Sequence, residues 1–320
     1  MKILRVLGLA VGIIVIFILV RRTGWPAIEQ TLALLGWGYP IVLAYPLSWM
    51  LLNSAGWRCT LPPAAPVPFV RLVQIRLTGE SFNSLLPSGY VGGEPVKAVL
   101  LSKRMPLSQA VSSVLIAKSA QSVALVVFVT LGLSAGSGPG PTPLLQPPTL
   151  VAVVILSLGI GIFTWLLASQ SFSRLGRWLH RVTRIAWLQA QELKLISLDE
   201  SLGSFYRGGK GRFAASAAWH LGGWLAGALE VAIIFTLLGH PVSLRQAWFI
   251  GAMAQLGSVV GLISPAGIGF YEGGHYLAAQ LLGLPPVMGL SVSLIRRIRE
   301  IFWDSIGLAL FARKVPEPKG

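Results

Sequence analysis

The chain has 320 residues, of which 54% are hydrophobic and 12% are charged, and its net charge is +15. Ordinary soluble domains carry roughly 25% charged residues, so this composition excludes a domain whose whole surface faces water. The positive charge could indicate nucleic-acid binding, but much of it lies in residues 171–212 and at the ends of apolar runs. That distribution follows the positive-inside rule of membrane proteins and argues against a nucleic-acid partner.

Six long apolar runs predict helices that cross the membrane. Each has roughly the 20 residues that a helix needs to cross a hydrocarbon core about 30 Å thick. Because lipid offers the backbone no hydrogen-bond partners, these runs must close their own hydrogen bonds as helices. The first run meets Arg21 and Arg22 without a small-residue cleavage site, which favours an uncleaved anchor over a signal peptide. The predicted spans are residues 4–20, 39–57, 110–133, 149–168, 213–238 and 287–311.

Two further apolar regions, residues 69–104 and 245–284, are interrupted by glycine and proline. Each predicts a re-entrant helical hairpin; the alternative is that each interrupted helix crosses fully, which would give ten spans. The hairpin is favoured because the first region would make a poor lipid-facing helix. Its polar residues include Arg71, Arg76, Glu80 and Asn83. The expected fold is an all-α polytopic membrane protein, with a single domain over residues 1–320.

An internal repeat links the two interrupted regions. The segment Pro87–Glu94 recurs as Pro265–Glu272, with proline, glycine and glutamate matching at a constant offset of 178 residues. The same offset carries Lys118 onto Arg296. Each segment follows a span, a short Pro-containing link and an amphipathic helix, and each precedes a short helix and another span. Duplication explains this shared order.

The predicted repeat halves are residues 39–133 and 213–311. Three long spans lie between the two motifs, and an odd number of crossings inverts whatever follows. Inverted repeats with broken helices that meet near the midplane are typical of transporters. Placing the basic segment, residues 169–212, in the cytoplasm puts both termini there and residues 136–148 outside.

Glu94 and Glu272 are the leading candidate site residues. Each follows a turn in which proline and glycine allow a helix to break and restart. A carboxylate at that place could cap its own helix, which is a structural role. It could equally be functional, because two related glutamates at membrane depth are costly to keep. The turn residues are Pro87, Gly89, Pro265 and Gly267.

Other charged residues lie within predicted spans, namely Lys118, Arg296, Arg297, Arg299 and Glu300. One interpretation is a structural salt-bridge ladder that faces the protein interior. The other is a pair of equivalent ion pairs around a cavity, Glu94 with Lys118 and Glu272 with Arg296. In that hypothesis the cations bind a headgroup phosphate and a glutamate takes up and releases a proton.

Several other polar and aromatic residues have structural explanations. Glu230 is expected to pair with His220 or Arg245, and Asn83 to hydrogen-bond the backbone of the turn at residues 87–89. Residues 174–195 combine basic and apolar rows, which predicts an amphipathic helix on the cytoplasmic leaflet. Tryptophans near span ends are typical of an interfacial belt: Trp25, Trp37, Trp49, Trp57 and Trp178.

The sequence carries no visible enzyme or metal signature. It has no Gly-x-Ser-x-Gly elbow, no Gly-rich phosphate loop and no Asp-rich metal cluster. The four histidines form no His-x-x-x-His pair, and Cys59 is the single cysteine, so neither a metal nor an intrachain disulfide is expected. No cofactor is expected.

Three motifs together carry a family resemblance. They are Gly79–Pro87 continuing to Val91–Glu94, Pro265–Gly274, and Leu294–Arg297. They resemble the flippase-like family, also called the lysylphosphatidylglycerol synthase transmembrane region. Within it, the chain is most similar to membrane proteins associated with hopanoid biosynthesis. The resemblance covers residues 40–312, which is most of the chain.

The resemblance implies a bacterial inner-membrane protein that moves a lipid, a hopanoid or a phospholipid, between leaflets or toward the envelope. In multidomain relatives an aminoacyl-transferase domain follows. Only nine residues follow Phe311 here, so the synthase activity is not carried over. Since no enzyme motif is visible either, we expect that the protein is not an enzyme. Two alternatives stay open: an intramembrane lipid-modifying enzyme that uses Glu94 or Glu272 as general acid or base, and a scaffold that assembles lipid-biosynthesis enzymes.

Overall fold

A computed structural model describes residues 21, 25–63, 65–85, 92–136, 146–184, 191–261 and 268–312. Every secondary-structure element within these ranges is helical. The helices are α1 (Trp25–Leu34), α2 (Tyr39–Ala44), α3 (Pro46–Arg58), α4 (Phe69–Leu85), α5 (Gly93–Leu101), α6 (Leu107–Ala135), α7 (Pro147–Ala168), α8 (Phe172–Thr183), α9 (Glu192–Gly208), α10 (Lys210–Leu237), α11 (Leu244–Val260), α12 (Phe270–Leu281) and α13 (Pro286–Ala312). A short 3-10 turn at Gly36–Gly38 precedes α2.

Three of the predicted spans coincide with helices that are long and apolar enough to cross a membrane. They are α6, residues 149–168 of α7, and α10. The predicted span 287–311 is a helix of sufficient length, but every 18-residue stretch of α13 contains at least four charged side chains. Every such stretch includes Arg296, Arg297, Arg299 and Glu300, and all but the first also include Asp304.

The predicted span 39–57 is not one helix. The structure divides it into α2 and α3 at Tyr45. Tyr45 donates its N–H to the carbonyl oxygen of Ile41 at 2.9 Å. Pro46 has no N–H and cannot continue the ladder, so the helix is interrupted there. The predicted span 4–20 and the turn residues Pro87, Gly89, Pro265 and Gly267 lie outside the described residues.

The two interrupted regions form helix pairs that pack against each other, α4 with α5 and α11 with α12. Glycines allow both close approaches. A Cβ on Gly93 would lie 1.8 Å from the carbonyl oxygen of Gly79, and one on Gly257 would lie 2.3 Å from that of Phe270. Because lipid provides no hydrophobic driving force between helices, membrane helices associate through close packing at small residues such as these. Gly79 and Gly257 are themselves related by the 178-residue offset.

The same offset aligns the helices of the two predicted halves. Shifted back by 178 residues, α11 falls at 66–82 beside α4, α12 at 92–103 beside α5, and α13 at 108–134 beside α6. The shifted α10 covers 32–59, which spans α2 and α3. The packing agrees with this correspondence. Helix α4 contacts α13, and their counterparts under the offset, α11 and α6, also contact each other.

Helices α3 and α10 run antiparallel across the centre of the molecule. Ser216 donates its hydroxyl to the carbonyl oxygen of Gly56 at 2.8 Å, and His220 Nδ1 lies 2.6 Å from Asn53 Oδ1. Residue numbers therefore rise along one helix as they fall along the other. Counterpart helices that run in opposite directions are what an inverted duplication requires.

The predicted amphipathic helix over 174–195 is shorter than expected. Helix α8 ends at Thr183, because Arg184 adopts the left-handed conformation at φ 52°. Asp199 on α9 holds the start of α8 by accepting the N–H groups of Phe172 and Ser173 at 3.0 and 2.9 Å. Helices α8 and α9 therefore form a compact pair, which lies between α7 and α10 in the chain.

Candidate functional site

A cavity of about 570 Å³ lies where the two predicted halves meet. Its walls come from α3, α4, α6, α7, α10, α11, α12 and α13. One end is charged and the other is apolar. The apolar end is lined by Leu125, Phe128, Ile155, Leu156, Ile160, Trp224, Ala228 and Val259.

The charged end carries more cations than anions. Two carboxylates, Glu80 and Glu300, line it together with five cationic side chains. The cations are Arg76, Lys118, Arg296, Arg297 and Arg299. This end therefore has a formal excess of three positive charges on its lining, which favours an anionic group.

Helix α6 carries the change from charged to apolar along one face. Lys118, Gln121, Ser122, Leu125 and Phe128 all line the cavity, at spacings of three or four residues. That spacing keeps them on one side of a helix. Their order grades the wall from a cation, through uncharged polar groups, to hydrocarbon.

The equivalent face of α13 also lines the cavity. Arg296, Arg299 and Glu300 stand 178 residues after Lys118, Gln121 and Ser122, and all six line it. The arginine-rich segment that gave α13 its high charge therefore faces the cavity rather than the lipid.

The predicted ion pair between Glu94 and Lys118 is present. Glu94 Oε1 lies 3.3 Å from Lys118 Nζ and 3.2 Å from Lys97 Nζ. Lys97 also reaches Glu80 at 2.8 Å, and Arg76 lies 3.4 Å from the same carboxylate. Glu94 is buried, with 8% of its surface exposed. The first half thus holds a connected network of three cations and two carboxylates.

The predicted pair of Glu272 with Arg296 is wrong by one residue. Glu272 Oε1 accepts from Arg297 Nε at 2.7 Å, and Arg297 also reaches Glu300 at 2.9 Å. The other oxygen of Glu272 accepts the N–H of Gly269 at 2.7 Å, at the start of α12. The carboxylate therefore combines both roles left open by the sequence, helix capping and ion pairing.

Arg296 pairs instead with Glu230, whose predicted partners were His220 and Arg245. Glu230 lies 3.3 Å from both Arg296 and Arg299 and is 1% exposed. Neighbouring positions on a helix point about 100° apart. Arg296 and Arg297 consequently reach carboxylates on different helices, α10 and α12.

Three carboxylates stand behind the cations rather than in the cavity. Glu94, Glu230 and Glu272 do not line it, whereas the Lys118, Arg296, Arg297 and Arg299 side chains that they contact do. Buried carboxylates in this position fix the geometry of the cationic groups and offset their desolvation.

Two guanidinium groups keep donors free for a ligand. Arg76 Nε and Arg296 Nε are buried and have no hydrogen-bond partner among the described residues. Both side chains line the cavity. A buried donor without an acceptor is costly, and an oxygen of a bound phosphate would satisfy it.

Asn83 lies near this network but outside the cavity lining. Its Oδ1 accepts the N–H of Gly93 at 2.7 Å and its Nδ2 donates to Glu80 at 3.3 Å. It holds the start of α5, as Glu272 holds the start of α12. The predicted partner, the turn at residues 87–89, lies outside the described residues.

The aromatic belt explains only part of the tryptophans. Trp37 is 95% exposed, but Trp57 is 1% exposed and packs in a buried cluster. Trp49 lines the cavity, with the guanidinium of Arg299 5.7 Å from its ring centre. Tyr271 similarly lies 5.3 Å from Arg297. Aromatic faces thus accompany the cations at the charged end.

The sequence missed several members of this site. Arg76, Glu80 and Lys97 were not selected, although Lys97 follows Glu94 by three residues and Arg76 precedes Glu80 by four. Those spacings place each pair on one helix face and could have identified them. The apolar wall from α7 gave no such signal.

The described residues contain no group of three or more His, Cys, Asp or Glu side chains placed to hold a metal. Glu272 and His275 have the Glu-x-x-His spacing of some ligand pairs. However, the oxygens of Glu272 are engaged by Gly269 and Arg297, and His275 Nδ1 lies 3.1 Å from the carbonyl oxygen of Tyr271.

Comparison with known proteins gives one clear result. No curated protein and no solved structure matches the chain. A family model described as the lysylphosphatidylglycerol synthase TM region matches residues 5–305. That match confirms the resemblance carried by the three sequence motifs. The chain belongs to the family of the lysylphosphatidylglycerol synthase transmembrane region, a family of lipid-related membrane proteins.

Proposed function

We propose that this protein carries a lipid between the two leaflets of a bacterial cytoplasmic membrane, without changing it chemically. The observation that carries the proposal is a cavity in which a cationic end adjoins an apolar wall. A lipid has the same two parts, a polar headgroup and a hydrocarbon body. The headgroup lies among Arg76, Lys118, Arg296 and Arg299, and the hydrocarbon lies along α7.

Helix α7 supplies the link from the cavity to the bilayer. Its Ile155, Leu156, Gly159 and Ile160 line the cavity, yet only 11% of its most apolar window is buried in the protein. The remaining surface of α7 is apolar and faces outward. A lipid tail can therefore remain in hydrocarbon while its headgroup enters the cavity.

The excess of cations favours a phosphate-bearing lipid over an uncharged hopanoid. An uncharged polycyclic lipid would leave the buried Nε donors of Arg76 and Arg296 unsatisfied. A phosphodiester supplies oxygens for both. The substrate we favour is a phospholipid, with a hopanoid as the competing candidate.

The inverted repeat supplies a route for alternating access. We propose that the two helix pairs, α4–α5 and α11–α12, are re-entrant hairpins that open the cavity to each leaflet in turn. Both termini lie in the cytoplasm in this arrangement. Protonation of Glu94 would release Lys118, which lines the cavity, to a headgroup phosphate and so couple a proton to the movement.

Reconstitution into vesicles tests this function. The protein is placed in vesicles with a trace of fluorescent phospholipid, and the fraction accessible to an external membrane-impermeant quencher is followed over time. We expect faster redistribution than in protein-free vesicles, with the lipid recovered unchanged. A new covalent product would instead indicate an enzyme. Neither redistribution nor product, with labelled phospholipid and labelled hopanoid alike, would leave the scaffold reading.

Matched arginine variants connect the activity to the cavity. Arg296→Gln removes a cation that lines the cavity, whereas Arg245→Gln removes an exposed one at the start of α11. We expect only the first to slow redistribution, by about tenfold or more if one phosphate contact is lost. Full activity in both Glu94→Gln and Glu272→Gln would remove the proposed role of the carboxylates.

A further inference from the structure

Helices α8 and α9 lie at the membrane boundary for a geometric reason. Helix α8 begins at Phe172, four residues after the spanning helix α7 ends at Ala168. Helix α9 ends at Gly208, two residues before the spanning helix α10 begins at Lys210. Because these links are so short, the pair must lie at the surface of the bilayer.

Helix α8 has three distinct faces. The first packs on α9, with Gly176 buried against Leu195. The second is an exposed apolar row of Leu175, Trp178 and Val182, which are 46%, 54% and 64% exposed. The third is a row of exposed basic residues beside it: Arg174, Arg177, Arg181 and Arg184. The apolar row is therefore not part of the protein core.

A small basic pocket of about 260 Å³ opens between α8 and α9 on the basic side. It is lined by Ser173, Gly176, Arg177, His180, Arg181, Glu192 and Leu195. Its single carboxylate, Glu192, lies 3.2 Å from Arg177. Arg181 adds a second guanidinium, so the pocket holds more positive than negative charge even with this ion pair formed.

We propose that the α8–α9 pair is a binding site for anionic phospholipid at the membrane surface. The apolar row enters the upper acyl region and the neighbouring basic row meets the phosphates. One headgroup occupies the pocket at Arg177 and Arg181. This is the arrangement by which basic amphipathic helices bind anionic bilayers. The site is separate from the cavity, and it does not rest on the proposed transport function.

A bilayer is favoured over an acidic protein partner by connectivity. Both ends of the pair continue into spanning helices, so the lipid surface is already adjacent to the exposed row. Leaving Leu175, Trp178 and Val182 in water would forfeit the free energy of their burial. A protein partner would have to displace that lipid first.

The test uses the full chain in vesicles. In a Cys59→Ser background, Trp178→Cys is labelled with a polarity-sensitive fluorophore, in vesicles with and without phosphatidylglycerol in a phosphatidylcholine host. We expect the label to be shielded from aqueous iodide and quenched by lipids carrying a shallow acyl quencher, most strongly with phosphatidylglycerol. A label fully accessible to iodide in both would overturn the proposal and point to a protein partner.

Charge variants test the pocket. Association of spin-labelled phosphatidylglycerol relative to phosphatidylcholine is measured for Arg177→Gln/Arg181→Gln and for the control Arg207→Gln/Lys210→Gln, which removes the same charge from exposed positions near the α9–α10 junction. We expect the first double variant to lose up to about thirtyfold in this preference, which is the combined contribution of two basic residues near an anionic surface, and the control to retain it. Equal losses would overturn the site.

Discussion

Glu94 and Glu272 occupy equivalent places in the two halves of the molecule, yet their surroundings differ. The Glu94 carboxylate contacts two lysines, Lys97 and Lys118. The Glu272 carboxylate divides its oxygens between the backbone at the start of its own helix and Arg297. Glu94 is 8% exposed and Glu272 is 1% exposed.

A repeated motif position therefore need not keep one role. In the second half the glutamate is an anchor, fixed by a rigid backbone donor and a planar guanidinium. In the first half the capping role passes to Asn83, which accepts the N–H of Gly93. Glu94 is thereby left free to serve the lysines.

The largest effect is expected from Glu272→Ala. Its removal leaves Arg297 without its buried partner and the N–H of Gly269 without an acceptor. Breaking a buried ion pair by removing one partner costs about 3–5 kcal/mol. The melting temperature of the purified protein in detergent should fall sharply, while that of the exposed control Glu200→Ala should not. An unchanged melting temperature would show that Glu272 is not an anchor.

A smaller loss of stability is expected from Glu94→Gln. Lys97 keeps its contact with Glu80 at 2.8 Å, so the network is weakened rather than broken. The cost should be about 1–3 kcal/mol, the range for a buried polar group left without a full partner. The rate of lipid redistribution should change clearly, although the loss of stability is small. A loss of stability as large as that of Glu272→Ala would erase the distinction between the two glutamates.

Asn83→Ala tests the transfer of the capping role. The variant removes the side-chain acceptor for the N–H of Gly93, and loss of a helix cap costs about 0.5–2 kcal/mol. Asn83→Asp keeps the acceptor but loses the donor to Glu80 and places a second carboxylate beside it, so it should restore only part of the stability. If thermal unfolding of both variants were equal, the contact with Gly93 would not be a cap.

The smallest change in stability, with a clear change in activity, is expected from Gly159→Leu. A Cβ on Gly159 meets no atom within 4 Å, so the fold should tolerate it within about 1 kcal/mol. The added side chain would occupy the apolar wall of the cavity and slow lipid redistribution. Gly161→Leu is the matched control, because its Cβ is equally free but Gly161 does not line the cavity. If both variants slowed lipid redistribution equally, the apolar wall of the cavity would have no specific role in transport.

Much of the helical framework follows from sequence. Long, predominantly apolar runs identify α6, α7 and α10, since hydropathy and length alone specify a candidate span. The same reasoning fails for α13, because its buried arginines are stabilised by carboxylates on other helices, and the sequence does not show those contacts. The division of the predicted span 39–57 could have been expected from Pro46, whose missing N–H breaks the ladder.

The sequence predicted which kinds of charged residue form the site better than it predicted which of them pair. The offset of 178 residues led to two predicted ion pairs. Lys118 does contact Glu94, but the partner of Glu272 is Arg297 and not the predicted Arg296. A shift of one residue rotates a side chain by about 100°, and only packing between helices selects the face. The role of Glu230 depends on contacts with a helix more than 60 residues away, about which spacing within α10 says nothing.

Locating a bound lipid tests the account most directly. Two phospholipids, one with a diazirine in the headgroup and one with a diazirine late in an acyl chain, are photocrosslinked to the reconstituted protein, and the modified peptides are identified. The account predicts that the headgroup probe marks residues 118–122 and 296–300, and that the acyl probe marks 155–160 on the cavity side of α7. Crosslinks from both probes confined to the outer, lipid-facing surface would contradict it.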